Sequence, residues 1–368
     1  MIDKKRLQGI CGELKKRGLD ALFIGGPAPD SIYLAELPLF PDERTKGIVA
    51  AADGRCFALT PKMYEPEFAR ILGPDVPLKV WADYEGFHRA FQNGCRELGL
   101  AGKKIAFNDG VLAIDLIEML SAVDFVFANG ASVTSPMRSA KDAEEIRRME
   151  RASEIADETM EALARFIKPG ITERAIKKKV LALFDEKGAE DVSFDPIVGT
   201  GLNGTVAHYT GDGGVVKQGD FVKIDIGCKY KGYCSDTART VCVGEPTAEQ
   251  RAVYEVVKAA QAAGEAAVRA GATGQDLDRA SRKIICEAGY GSFTGGRLGH
   301  GTGLAIHEEP YIVEGNDAPL APGNVFSVEP SITLPGKFSV QIENLVLVEP
   351  DGTGRALNKF TRDLLVIG

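Results

Sequence analysis

Apolar positions in the first 130 or so residues switch between two periods. Residues 4–18 space their apolar side chains at helical intervals, and Ala21-Leu22-Phe23-Ile24 follows as a short unbroken apolar run, as in a buried strand. Gly47-Ile48-Val49-Ala50-Ala51 and Cys56-Phe57-Ala58-Leu59 predict a hairpin, Lys104-Ile105-Ala106-Phe107 another strand, and Val123-Asp124-Phe125-Val126-Phe127 a closing one. Helix and strand signals in alternation specify an α/β domain over residues 1–135. It has no phosphate-loop or dinucleotide fingerprint, so its own residues point to no chemistry.

The pattern changes beyond Ser135-Pro136-Met137-Arg138. A long helix with alternating charges starts near Asp142 and runs to about Lys168, opening a second domain over residues 136–368. This domain repeats itself. Lys168-Pro169-Gly170-Ile171-Thr172, leading to a helix that ends at Lys187-Gly188, matches Gly271-Ala272-Thr273, leading to a helix that ends at Ala288-Gly289, 101 residues later. In each copy a threonine caps the helix, a glycine stops it, and a glycine-rich stretch then leads to an acidic hairpin. Two duplicated α/β units facing each other across one site are predicted. Chance similarity of helix punctuation is the alternative, but it leaves unexplained why both copies end in carboxylates.

The hairpins carry the candidate chemistry. In the first, a two-residue loop at Tyr230-Lys231 would bring Asp225 directly opposite Asp236, on one face of the sheet. In the second, a three-residue loop centred on Gly336 would bring Glu329 opposite Glu343. Like charges facing one another destabilise a sheet, so two such pairs call for a cation unless they are ordinary acids on a solvated face. His300, in Gly299-His300-Gly301-Thr302-Gly303, adds an imidazole where glycines allow close backbone approach. Four carboxylates would balance two divalent ions. Oxygen-rich ligation with a single nitrogen suits Mn²⁺, Co²⁺ or Zn²⁺.

Charge and cysteine usage narrow the partners. With 44 basic against 52 acidic residues the formal charge is −8, which argues against nucleic acid as the main partner. Seven scattered cysteines without a Cys-x-x-Cys spacing fit reduced thiols in a cytoplasm, and Cys228, Cys234 and Cys242 are expected as buried small hydrophobes rather than ligands. No run of 18 apolar residues occurs and the amino terminus is polar, so a cytoplasmic protein without a membrane partner is expected.

Asp225-Ile226-Gly227, Tyr233-Cys234-Ser235-Asp236-Thr237-Ala238-Arg239-Thr240, Gly299-His300-Gly301-Thr302-Gly303-Leu304-Ala305-Ile306-His307-Glu308 and Val328-Glu329-Pro330 together resemble the creatinase, aminopeptidase P and prolidase group of metallopeptidases. The match is strong over residues 140–368. The resemblance implies a fold of the α/β (α+β) class, in which a creatinase-like N-terminal α/β domain precedes a pseudo-twofold pita-bread catalytic domain. It implies two divalent metal ions, Mn²⁺ foremost with Co²⁺ or Zn²⁺ as alternatives, bridged by Asp236 and Glu343. Asp225 would complete one ion, and His300 with Glu329 the other. Glu329 would also move the proton, while His208 and His307 would hydrogen-bond the substrate carbonyl. A homodimer acting on peptides with proline in second position is likewise implied, the proline preference coming from the resemblance alone.

One residue departs from the group's pattern. Where the group carries an arginine two positions before its last ligand, this chain has Gln341 in Gln341-Ile342-Glu343-Asn344. Losing a guanidinium that helps hold a dipeptide's carboxylate favours an Xaa-Pro aminopeptidase, with an Xaa-Pro dipeptidase as the nearest rival. A lyase or non-peptide amidohydrolase on the same fold, and an inactive module used for protein binding, are further readings. The last usually loses ligands, and none is lost here.

Overall fold

The computed structural model describes residues Met1–Gly368, which form two compact units, Met1–Arg138 and Ser139–Gly368.

The first unit is built on a six-stranded sheet. Its strands run, edge to edge, Leu78–Trp81, Cys56–Pro61, Gly47–Ala51, Ala21–Gly25, Lys104–Phe107 and Val126–Asn129. Ala21–Gly25 lies antiparallel to Gly47–Ala51 and parallel to Lys104–Phe107, and it is buried throughout, which is why it reads as a continuous apolar run. The helix Lys4–Lys16, capped by Asp3, buries Ile10 and Leu14 in the core beside Leu22 and Ile24. The closing strand starts at Val126, three residues later than the sequence pattern suggests. Val123 leaves the helix Ala113–Ala122 and packs with Phe125 into the core, so the chain becomes an edge strand only beyond them. The helix Ala131–Ser139 then ends the unit, despite containing Pro136. Val133 sits in the core and the Arg138 guanidinium reaches Asp30 at 2.6 Å, which is why the unit extends to Arg138 rather than ending at residue 135.

The second unit repeats one design. Helix Glu173–Glu186 is capped by the Thr172 side chain and helix Gly274–Glu287 by that of Thr273; each has 14 residues. Glycines with positive φ bracket both, Gly170 and Gly188 around one, Gly271 and Gly289 around the other. Each helix covers a meander of antiparallel strands. The first contains Ile197–Thr200, Phe221–Ile226 and Thr237–Val243, and the second Gly299–Gly301, Val325–Val328 and Asn344–Val348. Ile176, Val180 and Leu183 pack with Val222 and Ile224 in one half, as Leu277 packs with Phe326, Val328 and Val346 in the other.

One acidic hairpin departs from the register that the sequence predicts and the other keeps it. In the first, the turn is at Lys231-Gly232, both with positive φ, the geometry of a type I′ turn in which glycine takes the second position without strain. Tyr230 therefore pairs with Tyr233 and Asp225 with Ala238, so Asp236 lies two positions away from the place directly opposite Asp225. Positions 236 and 238 point the same way, and the carboxylates still share a face. In the second, Leu334 pairs with Phe338 around Gly336 and Val328 with Asn344, which leaves Glu329 facing Glu343 as expected. Between those ladders the two strands part. The amide of Glu343 donates to Ala238 of the first meander, and that of Glu329 to Leu298.

If the halves are equivalent in energy as well as shape, their caps contribute alike. Thr172→Ala and Thr273→Ala are each expected to lower the unfolding free energy by about 1 kcal/mol, the usual value of such a cap. Urea denaturation of the two variants measures it, and a loss confined to one would show that only that half limits stability.

Candidate metal centre

The strands bring Asp236, His300 and Glu343 together as a buried cluster whose ligand atoms all lie within 4.8 Å of one another. His300 Nε2 stands 3.5 Å from Asp236 and 3.3 Å from Glu329. Its other nitrogen, Nδ1, lies 3.1 Å from the carbonyl of Gly301, which selects the tautomer that turns the Nε2 lone pair toward the carboxylates. Glycine on either side of this histidine is a steric requirement. A methyl group on Gly299 would lie 1.9 Å from the Ser327 carbonyl oxygen, and one on Gly301 2.3 Å from that of Glu309. Asp225 and Glu329 complete the group at the wall of a cavity of 970 Å³, which His208 and His307 also line. The His300 and His307 rings meet edge to face, with centroids 4.1 Å apart. The fourth histidine, His88, belongs to the first unit, where it stacks on Phe87.

The electrostatics of the cluster are those of a site lacking a counter-charge. Burial pushes Asp225 up to about 7, with the Lys223 ammonium and the Gln341 amide restraining the rise. Burial and then the Asp225 charge push Glu329 to about 8. Asp236 and Glu343 lie well above the carboxylate range, from burial first and the surrounding carboxylates second. Burial drives His300 down to about 3, so its imidazole is neutral. Asp225 Oδ1 and both carboxylate oxygens of Glu343 are buried without a hydrogen-bond partner. Buried oxygens left unpaired in this way are costly in a folded protein, and a divalent cation is the partner that suits them. The residues present therefore fit a metal centre. Cysteine does not take part. Cys228, Cys234 and Cys242 line no part of the cavity, and burial raises their thiols to about 11, 12 and 11.

Comparison with known proteins agrees with this geometry. A model of metallopeptidase family M24 matches residues 147–350. The chain belongs to that family. An Xaa-Pro dipeptidase of Pyrococcus furiosus is 32% identical over 364 residues, 98% of this chain and 100% of the relative. A probable dipeptidase, PepE, of Mycobacterium tuberculosis is 31% identical over 366 residues, 99% and 96% of the two chains. The crystal structure of a dipeptidase from Pyrococcus horikoshii OT3 superposes with a TM-score of 0.93 at 34% identity, covering 98% of this chain and 100% of that one. The fold is thus the pita-bread fold, and the M24 enzyme is a metallopeptidase, a class whose chemistry depends on divalent metal. No helix is long and apolar enough to cross a membrane.

Several residues around the cluster have roles that the sequence left open or did not show. Arg239 is buried and donates to the carbonyls of Ala238, Glu343, Phe360 and Thr361 and to the side chain of Asn344, fixing the backbone on which Glu343 rides. Ser327 accepts from the His300 amide at 3.0 Å and donates to Glu329 at 3.0 Å, joining two of the cluster residues through one hydroxyl. Gln341 reaches Glu329 only at 3.4 Å. Arg297 lines the cavity, its guanidinium lying over the Tyr311 ring at 4.9 Å with no carboxylate bonded to it.

The raised carboxyls make a signed prediction for the metal-free protein. Asp225 and Glu329 keep protons in the fold that the unfolded chain releases above about pH 4, so their contribution to stability is present below that pH and is lost as pH rises to about 7–8. A divalent ion binding the ionised carboxylates reverses that loss. The rise in Tm on adding Mn²⁺ to metal-stripped protein is therefore expected to be greater at pH 8 than at pH 5. Calorimetry at both values checks it, and an equal or smaller gain at pH 8 contradicts the assignment.

Proposed function

We propose that this chain is a dinuclear metal-dependent Xaa-Pro dipeptidase, which hydrolyses the bond between a first residue and a carboxyl-terminal proline. Two findings support this over the aminopeptidase suggested by Gln341. Relatives alike over nearly the whole chain bear dipeptidase names. The observation that carries it is Arg297, a guanidinium in the wall of the same cavity as the metal cluster, bonded to no carboxylate although its charge reaches Glu329. A planar fork of N–H donors is suited to bidentate recognition of a free carboxylate. With that cation available, the glutamine at 341 no longer counts against dipeptides.

In this reading Asp225, Asp236, His300, Glu329 and Glu343 would hold two divalent ions, Mn²⁺ being favoured by the excess of carboxylate oxygens over the single imidazole. When bound, such ions supply Lewis-acid polarisation of the scissile carbonyl and acidify the attacking water. Glu329, half-buried at the cavity wall, takes the water's proton and delivers it to the departing proline nitrogen. His307, whose imidazole partial burial and then the nearby Arg297 charge hold below its ordinary pKa, and His208, in the cavity wall, donate hydrogen bonds to the carbonyl oxygen as charge builds on it. Arg297 holds the proline carboxylate, and Asp236 and Glu343 would be among the carboxylates that hold the ions.

Substrate length is the decisive test. An Xaa-Pro dipeptide is expected to be cleaved with higher kcat/KM than the same dipeptide carrying a carboxyl-terminal amide, or a tripeptide extended beyond proline. Arg297→Met is expected to raise KM for the dipeptide roughly 10- to 100-fold, the value of a charge-assisted bond, while leaving the amide nearly unchanged. A preference of the unmodified enzyme for the tripeptide would reinstate the aminopeptidase. Chemistry and metal binding separate in other variants. Asp236→Asn and Glu343→Gln should lose both metal and turnover, while Glu329→Gln should lose roughly 10² in kcat, as expected for removal of a general base. His208→Ala and His307→Ala should lower kcat with metal content preserved, as measured by elemental analysis; metal loss in either would make that histidine a ligand.

A further inference from the structure

His208 presents a problem of placement. It is exposed in the cavity wall, its imidazole accepts and donates no hydrogen bond, and it stands at a turn in the loop between the short helical turn Gly201–Thr205 and the strand Phe221–Ile226. A side chain without partners points where its backbone points it. The ends of this segment are anchored by Glu173, whose buried carboxylate accepts from the Thr200 amide at 2.8 Å, Asn203 Nδ2 at 2.9 Å, the Tyr209 hydroxyl at 3.1 Å and the Gly214 amide at 2.7 Å. Lys177 adds one bond to the Gly211 carbonyl at 2.7 Å. None of these touches the two peptide units immediately before His208.

Those two are held by Lys223. Its side chain is buried at the cavity, and its ammonium donates to the Val206 carbonyl at 2.9 Å and the Ala207 carbonyl at 3.2 Å. Lys223 sits two residues before Asp225 on the same strand, hence on the same sheet face. A buried ammonium is expensive unless its three donors are used, and a leucine or valine would fill a strand interior at no such cost. We infer that Lys223 is the positioning residue for His208, tying the two carbonyls that precede the histidine to the strand that carries Asp225, so that imidazole and metal cluster keep one fixed spacing. Among the residues near the cluster it also sets a positive charge where Gln341 offers none. The inference rests on the reading of His208 as a hydrogen-bond donor to the peptidase substrate.

A double-mutant cycle tests it in the metal-loaded enzyme. Lys223→Met is expected to lower kcat on an Xaa-Pro dipeptide by about 10-fold or more, with KM changed less than about 3-fold and both metals retained. In the His208→Ala background the same change should cost less than about 2-fold, because residues acting through one another are not additive. Lys223→Arg, which keeps the charge and has two N–H groups for the two carbonyls, should recover most of the loss. Losses that multiply in the double variant, an unchanged kcat, loss of metal, or an arginine variant as impaired as the methionine one each overturn the inference. If the methionine variant does not fold, Lys223→Gln takes its place in the cycle. A second readout does not depend on activity and so separates this inference from the dipeptidase assignment. In metal-loaded protein, hydrogen exchange of the Val206 amide, which donates to the Asn203 carbonyl at 3.2 Å, should accelerate in Lys223→Met, while the Glu173-bound amides of Thr200 and Gly214 keep their protection. A Val206 amide as protected in the variant as in the unmodified protein would sink the inference even if dipeptides are cleaved as proposed.

Discussion

Four carboxyl groups and one imidazole occupy a space in which they cannot all adopt their usual charges. Burial raises every carboxyl, with neighbouring carboxylates adding to the rise at Asp236, Glu329 and Glu343, and burial lowers the histidine; three carboxylate oxygens find no donor at all. A protein gains nothing in stability from such a cluster by itself. Divalent cations turn the same groups from a burden into a binding site, since they supply positive charge at the point where the fold supplies only negative. The rest of the second unit can be understood as what is needed to keep these groups in place until the cations arrive.

The duplicated architecture does this by using strand ends. Glu329 and Glu343 lie where two paired strands separate, each amide turning to a different neighbour, Leu298 or Ala238. The carboxylates of the second half are thereby carried to those of the first, without a loop whose flexibility would blur their spacing. Arg239 stiffens the junction, its guanidinium satisfying carbonyls from both meanders and from the carboxyl-terminal segment. Ser327 does the same on a smaller scale between His300 and Glu329.

Positive charge near the cluster is distributed differently from the pattern of the family. Gln341 is neutral and only weakly engaged, whereas Lys223 lies beneath the cavity and Arg297 stands in its wall. Moving a cation by one strand changes what it can do. Beside the last ligand it supports a metal-binding carboxylate; in the wall it can meet the far end of a substrate; under the His208 segment it can hold backbone. The same net charge near the metals is therefore compatible with different substrate preferences, so the glutamine alone does not fix peptide length.

The sequence by itself determined the two-part organisation, the repeat at 101 residues, the cluster residues and the family, because these depend on local quantities: period, caps, glycine placement and motif order. It determined the second hairpin's register too, since Gly336 fixes a three-residue loop. It missed the first, because choosing between Tyr230-Lys231 and Lys231-Gly232 depends on which pair takes positive φ, and a lysine there is a rare occupant. The closing strand of the first unit was shifted for a related reason: Val123 and Phe125 look like strand residues but are consumed by the core. What only the tertiary structure decided is the company each charged residue keeps. Lys223, Arg239 and Arg297 are three cations whose local patterns do not state their roles, which follow from partners as far as 122 positions away for the first two and from a place in the cavity wall for the third. Hydrophobic periodicity records which face is buried, but not what a buried charge meets there, because that depends on segments distant in the chain arriving at the same point.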